Sequence, residues 1–129
     1  MKTDGYSVKE FSVPVKRYCQ TLDLKEDEAL IREYCMLHTK ECQDRAIRDE
    51  IRSVGILEME IYLKDNRLFM IVETLPDFEW DKAMAELAAL PHQSSWEALV
   101  SRFQQCDPSA TSSQKWTLMD RIFYLYEDD

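Results

Sequence analysis

Ile56-Leu57-Glu58-Met59-Glu60-Ile61-Tyr62-Leu63-Lys64, then Asp65-Asn66, then Arg67-Leu68-Phe69-Met70-Ile71-Val72-Glu73-Thr74, is the stretch on which the fold turns. In its first half Leu57, Met59, Ile61 and Leu63 alternate with Glu58, Glu60 and Tyr62, the period of two that gives a strand one apolar and one polar face. Asp65 and Asn66 both tolerate positive φ, so a two-residue hairpin turn is expected between the strands. The second half is apolar on both faces and needs cover on each.

Working outward, Gly55 ends a helical region as a C-terminal stop. A single helix over Asp27–Val54 would be unusually long for 129 residues. At about 100° per residue, Leu30, Ile31, Tyr34, Leu37 and His38 share one face, while Ile47, Ile51 and Val54 fall roughly 135° away. Both halves cannot face one core, so a break is expected between Thr39 and Arg45. His38 would then lie near a helix C-terminus, where the macrodipole favours a protonated imidazole. Before the helix, Val15–Leu24 alternates as a first strand, and residues 1–14 form an arm ahead of a single domain over 15–129. After the hairpin, a turn at Pro76–Glu79 leads into a helix over Trp80–Leu90. Pro91 interrupts it, and a second helical piece runs over Ser94–Gln105. Asp107–Gln114 reads as a polar loop, Trp116–Tyr126 as a last strand with bulky residues on both faces, and the chain closes on an acidic tail. Strand, helix, strand, strand, helix, strand is the order of a split βαβ arrangement, an antiparallel sheet with both helical regions on one face. Phe69 or Met70, with Ile122 or Phe123 from the last strand, would line the other face, which a second copy in a two-fold dimer would cover.

The composition excludes whole classes. Twenty-five acidic against sixteen basic residues leave a net charge of −9, which repels nucleic acid and anionic lipid. With no early apolar run or membrane-length segment, a cytoplasmic protein is expected. Cys19, Cys35, Cys42 and Cys106 form no Cys-x-x-Cys pair, so free thiols and no metal are expected. Two glycines cannot build a phosphate loop, and there is no Gly-x-Ser-x-Gly elbow. Tyr34 and His38 remain, four apart on one helix face, a phenol above an imidazole whose ordinary pKa of roughly 6.5 permits proton traffic both ways. The same spacing suits a packing tyrosine beside a solvated histidine. Trp96 sits on an apolar helical face, where most tryptophans are core, and a platform for a sugar ring is the alternative. His92, beside Pro91, is expected to be exposed. Glu58, Glu60 and Glu73, if buried in an interface, would need Arg67 or Arg121 as partners.

From Lys16 to Leu125 the chain resembles the L-rhamnose mutarotase family and its L-fucose-associated relatives. The resemblance rests on Arg-Tyr-Cys-Gln-Thr-Leu-Asp-Leu at 17–24, Glu-Tyr-x-x-x-His at 33–38, Gly-Ile-Leu-Glu-Met-Glu-Ile-Tyr at 55–62, Arg-Leu-Phe-Met-Ile-Val-Glu at 67–73, Trp96-Glu97, and Met119-Asp120-Arg121-Ile122-Phe123. It implies a ferredoxin-like α+β fold, βαββαβ, in a dimeric α/β barrel-type assembly. It also implies cofactor-independent interconversion of the α and β anomers of a deoxyhexose pyranose. Tyr34 and His38 match the family's catalytic pair, and Trp96 its sugar-holding tryptophan. Met59 stands where rhamnose-type members carry a tyrosine, Ser95 where they carry a second tryptophan, and Glu41-Cys42-Gln43-Asp44-Arg45 lacks the tryptophan that family members carry shortly after the histidine. A non-catalytic sugar- or metabolite-binding dimer of the same fold is the alternative these departures leave.

Overall fold

The computed structural model describes residues 4–107 and 109–126; the acidic tail at 127–129 and the first three residues of the arm lie outside the described residues. In chain order the elements are β1 (Lys16–Asp23), α1 (Glu28–Leu37), α2 (Arg45–Ser53), β2 (Ile56–Lys64), β3 (Arg67–Thr74), α3 (Trp80–Ala88), α4 (Pro91–Val100), α5 (Ser112–Lys115) and β4 (Thr117–Leu118). The four strands form one sheet in the order β2-β3-β1-β4, with every neighbouring pair antiparallel. The expected hairpin is β2–β3, and the expected break in the first helical region separates α1 from α2.

Capping explains where the helices start. The Asp27 carboxylate accepts from the backbone N–H groups of Ala29 and Leu30, and Asp44 does the same for Ala46. Pro91, read as an interruption, is the first residue of α4, where a fixed φ and a missing N–H cost nothing. That helix ends at Val100, so Phe103 and Gln104 belong to the turns beyond it and not to a helix reaching Gln105. A short helix, α5, occupies the end of the expected polar loop, signalled by a reciprocal capping box between Thr111 and Gln114. In the hairpin only Asp65 takes positive φ, at 56°. Asn66 instead ties the turn to β1: its side chain donates to the Leu24 carbonyl at 2.9 Å and its own carbonyl accepts from Leu24 N–H at 2.7 Å.

Register decides which residues meet the helices. Gln20 stands opposite Met70, Leu22 opposite Leu68, Met59 opposite Val72 and Ile61 opposite Met70. These residues face the helical layer, where Leu22, Leu24, Leu68, Met70 and Val72 join Tyr34, Leu87, Val100, Phe103 and Trp116 in the core. Met70 is thus on the covered face and Phe69 on the open one. A bulge between Ile56 and Glu58 adds Leu57 to β2, so Ile56, and not Leu57, is in phase with Met59 and Ile61. On the open face the carboxylates find other partners than those expected. Arg17 lies directly opposite Glu73 and bonds it at 2.8 Å, and Asp23 takes Arg67 at 2.8 Å. Glu60 accepts from the Tyr62 hydroxyl at 2.9 Å, and Glu58 from the Met59 N–H at 3.1 Å. The arm touches this face where Tyr6 meets the Tyr62 ring edge-on at 5.7 Å.

The last strand is the largest departure. Only Thr117 and Leu118 pair, with Thr21 and Gln20, and Met119 N–H adds one bond to the Cys19 carbonyl. Trp116 turns inward at the end of α5, and the chain beyond leaves the sheet, with Ile122 96% and Phe123 75% exposed. An edge strand has one neighbour to pair with, and bulky residues on both faces do not by themselves supply a second.

Gly55 joins α2 to β2 at φ +101°, with the Phe78 ring 3.5 Å from where a Cβ would sit. Gly55→Ala is expected to lower unfolding free energy by about 1–2 kcal/mol through backbone strain. Urea denaturation with an unchanged midpoint would contradict this.

Candidate functional site

The break after α1 builds the site. His38 is the C-cap of α1, and its Nδ1 lies 2.7 Å from the carbonyl oxygen of Tyr34 one turn back. A carbonyl only accepts, so Nδ1 carries the proton and donates. Nε2 is then the nitrogen with a free lone pair, and it has no hydrogen-bond partner among the described residues. The imidazole packs on the Tyr34 ring at 4.4 Å and meets the edge of Trp96 at 5.0 Å, two contacts that fix its plane. From α2, Arg48 reaches back across the break, its Nη2 donating to the His38 carbonyl at 2.9 Å and its Nε to Gln43 Oε1 at 2.8 Å.

Burial overrides the helix end in setting the charge of His38. Desolvation lowers its pKa below the ordinary histidine value, the hydrogen bond to the Tyr34 carbonyl opposes the shift in part, and the Arg48 guanidinium adds to it. The expectation of a protonated imidazole at a helix C-terminus is therefore corrected: His38 is neutral at neutral pH, a base with its lone pair on Nε2.

Tyr34 is 3% exposed and its phenol is held far above the ordinary tyrosine range by burial, so it keeps its proton. Its hydroxyl accepts from Gln104 Nε2 at 3.4 Å. Gln104 in turn accepts from Lys115 Nζ at 2.7 Å, and Lys115, whose side chain is fully buried, ion-pairs with Glu97. This line of polar groups runs from α5 and α4 to the phenol. The sequence gives little warning of it, because Gln104 stands at the end of the expected second helical piece and Lys115 between the expected polar loop and the last strand.

In front of Tyr34 and His38 opens a cleft of about 510 Å³. One wall is apolar, with Ile51, Leu57, Met59, Ile61 and Leu63; Gln43, Arg48, Arg52 and Glu58 are polar groups on its lining. Tyr34, His38 and Met59, singled out in the sequence, are thereby brought together. Trp96 does not line the cleft: it is half-buried behind the imidazole. His92 is exposed as expected but lies elsewhere, its Nδ1 3.0 Å from Glu50 at the start of α4. The four cysteines are free thiols, and no cluster of metal-ligating side chains occurs among the described residues.

With this geometry in place, comparison with known proteins is decisive. The model of the L-rhamnose mutarotase family matches residues 17–125. The chain belongs to the L-rhamnose mutarotase family. Among its relatives, an L-fucose mutarotase of Xanthomonas campestris pv. campestris is 34% identical over 113 residues, 88% of this chain and 90% of that protein. A UPF0734 protein of Dictyostelium discoideum is 31% identical over 118 residues, 88% and 93% of the two chains. The crystal structure of an L-rhamnose mutarotase from Formosa agariphila superposes with a TM-score of 0.64 at 15% identity, over 86% of this chain and 99% of that one. A dimeric ferredoxin-like protein from an uncultured marine organism superposes at 0.50 with 10% identity, over 84% and 90%. In this chain both side chains of the Tyr-x-x-x-His motif line the cleft, the imidazole neutral and the phenol largely buried with its hydroxyl accepting from Gln104.

Two expectations follow. In an NMR titration the His38 ring should protonate below about 6.5. Because its folded pKa lies under the unfolded one, the stability this adds is present above about pH 6.5 and is lost as pH falls through that value toward the lower folded pKa. His38→Gln should flatten that part of the stability–pH curve, and a slope unchanged in the variant would contradict the assignment. Separately, Lys115→Met strands Gln104 Oε1 and the Glu97 carboxylate, at an expected cost of about 1–3 kcal/mol read from denaturant unfolding.

Proposed function

We propose that this protein is an aldose mutarotase acting on a deoxyhexose pyranose of the L-rhamnose or L-fucose class, without a cofactor. The observation that carries this reading is the neutral His38, anchored through Nδ1 and presenting Nε2 on a cleft. Mutarotation needs a proton removed from the anomeric hydroxyl while another reaches the ring oxygen. His38 takes the hydroxyl proton; the oxygen lone pair forms the aldehyde C=O as the C1–ring-oxygen bond breaks, and the ring oxygen takes a proton from a solvent water that the His38 imidazolium reprotonates. Rotation about C1–C2 and closure by the reverse steps yields the other anomer. Tyr34, which accepts from Gln104 and retains its own proton, serves as the hydrogen-bond donor to the sugar and not as a base.

The deoxyhexose class is supported by the wall opposite the polar groups. A C5 methyl finds Met59, Ile61 and Leu57 there, where a hydroxymethyl would lose its hydrogen bonds. Trp96 supports the imidazole from behind, and its contribution to sugar binding is through that placement. We propose further that the working form is a homodimer: Ile122, Phe123 and Leu125 are largely exposed, an arrangement that a second copy would bury.

One observation favours the alternative of a sugar-binding dimer without catalysis. Apart from Tyr34 and His38, no aromatic ring among the described residues lines the cleft. Saturation-transfer NMR of anomer exchange on L-fucose, L-rhamnose and common aldoses separates the two. The mutarotase reading expects acceleration of at least one 6-deoxyhexose, reduced about 10²- to 10⁴-fold by His38→Ala. Calorimetric sugar binding with no acceleration would select the binder. For the assembly, sedimentation should give twice the 15.3 kDa chain mass, and Ile122→Glu with Phe123→Glu should return it to one; a wild-type monomer would remove the dimer proposal.

A further inference from the structure

Another cavity, of about 260 Å³, is lined among the described residues by Lys40, Gln43, Arg45, Arg48 and Arg52. It gathers four of the sixteen basic residues of a chain with net charge −9, and among the described residues no carboxylate belongs to its lining. Arg45, Arg48 and Arg52 recur at helical spacing along one face of α2, and Lys40 comes from the break that precedes it. Lys40 and Arg45 form no ion pair among the described residues. Arg52 pairs with Asp49 at 3.3 Å, but both side chains are largely exposed and such a pair is weak. Arg48 is fixed by Gln43 and the His38 carbonyl through Nε and Nη2, leaving Nη1 to bond elsewhere. Gln43, Arg48 and Arg52 also line the cleft that holds His38, so the two cavities share a wall.

We propose that this basic cavity is a binding site for a phosphate group. Bringing four cations together is unfavourable unless an anion offsets their repulsion. A phosphate offers close to two charges and several acceptor oxygens to the forked donors of three arginines and an ammonium, where a carboxylate offers one charge and two oxygens. The phosphate has two possible sources, free inorganic phosphate or the phosphoryl group of an aldose phosphate whose ring enters the neighbouring cleft. Neither depends on the mutarotase reading, because binding itself is the readout.

The test is calorimetric titration at low ionic strength, with inorganic phosphate and with a 6-deoxyhexose 1-phosphate as separate probes. Wild type is set beside Lys40→Gln/Arg45→Gln, a pair of exposed positions whose loss leaves the His38 anchor intact. A saturable 1:1 isotherm that weakens at least tenfold in the variant, and weakens as salt is added, is expected for one probe or both. Saturation by inorganic phosphate identifies the free ion as sufficient; saturation by the aldose phosphate alone places the group on a sugar. No saturation by either probe, or affinity unchanged in the variant, overturns the proposal and leaves the cluster a solvated basic face.

Discussion

The apolar side of the β1, β2 and β3 sheet has a single helical layer to cover it, and the rest of the structure depends on how that layer bends to fit. The apolar faces of α1 and α2 point in directions too far apart for one straight rod, so the chain breaks between them. The break is where the cleft opens beside His38. It leaves His38 at a cap, lets Arg48 return to the His38 carbonyl, and opens the cleft whose far wall is β2. A packing requirement thereby produces a free backbone end, a fixed imidazole and a cavity together.

Two electrostatic effects compete at His38. A helix C-terminus stabilises a nearby cation by about 0.3–1 kcal/mol, an effect confined to the last turn. Burial acts on the same group in the opposite direction and is reinforced by the Arg48 guanidinium, which repels a second positive charge. The neutral form prevails because the ring is enclosed by Tyr34 and Trp96, and that burial outweighs the Nδ1 bond to the Tyr34 carbonyl, which favours the charged form. Tyr34 is subject to the same desolvation with a different result, since burial of a phenol also favours its neutral form and so preserves a donor.

The open face of the sheet is governed by pairing across strands. Arg17 with Glu73 and Asp23 with Arg67 place opposite charges directly across β1 and β3, each partly exposed and individually weak, but together specifying the register against a one-residue slip. Beyond β1 the sheet has little more to offer. β4 is two residues long, and the bulky chain after it departs toward solvent.

The sequence by itself determined what short-range periodicity encodes: the β2–β3 hairpin from its alternation, the break before α2 from the rotation of the apolar face, and the Tyr34–His38 juxtaposition from a four-residue spacing. The motifs running from Arg17 to Phe123 carried the family. What only the tertiary structure decided depends on neighbours far away in the chain. Alternation could not reveal the bulge at Leu57, which sets Ile56 in phase with Met59, nor that Trp116 is buried while Ile122 is not. It could not show that Gln104 and Lys115, seventy and more residues from Tyr34, hold its hydroxyl, or that enclosure reverses the charge expected of His38. Periodicity is a property of adjacent residues. Desolvation and hydrogen-bond satisfaction are sums over whatever the fold brings near.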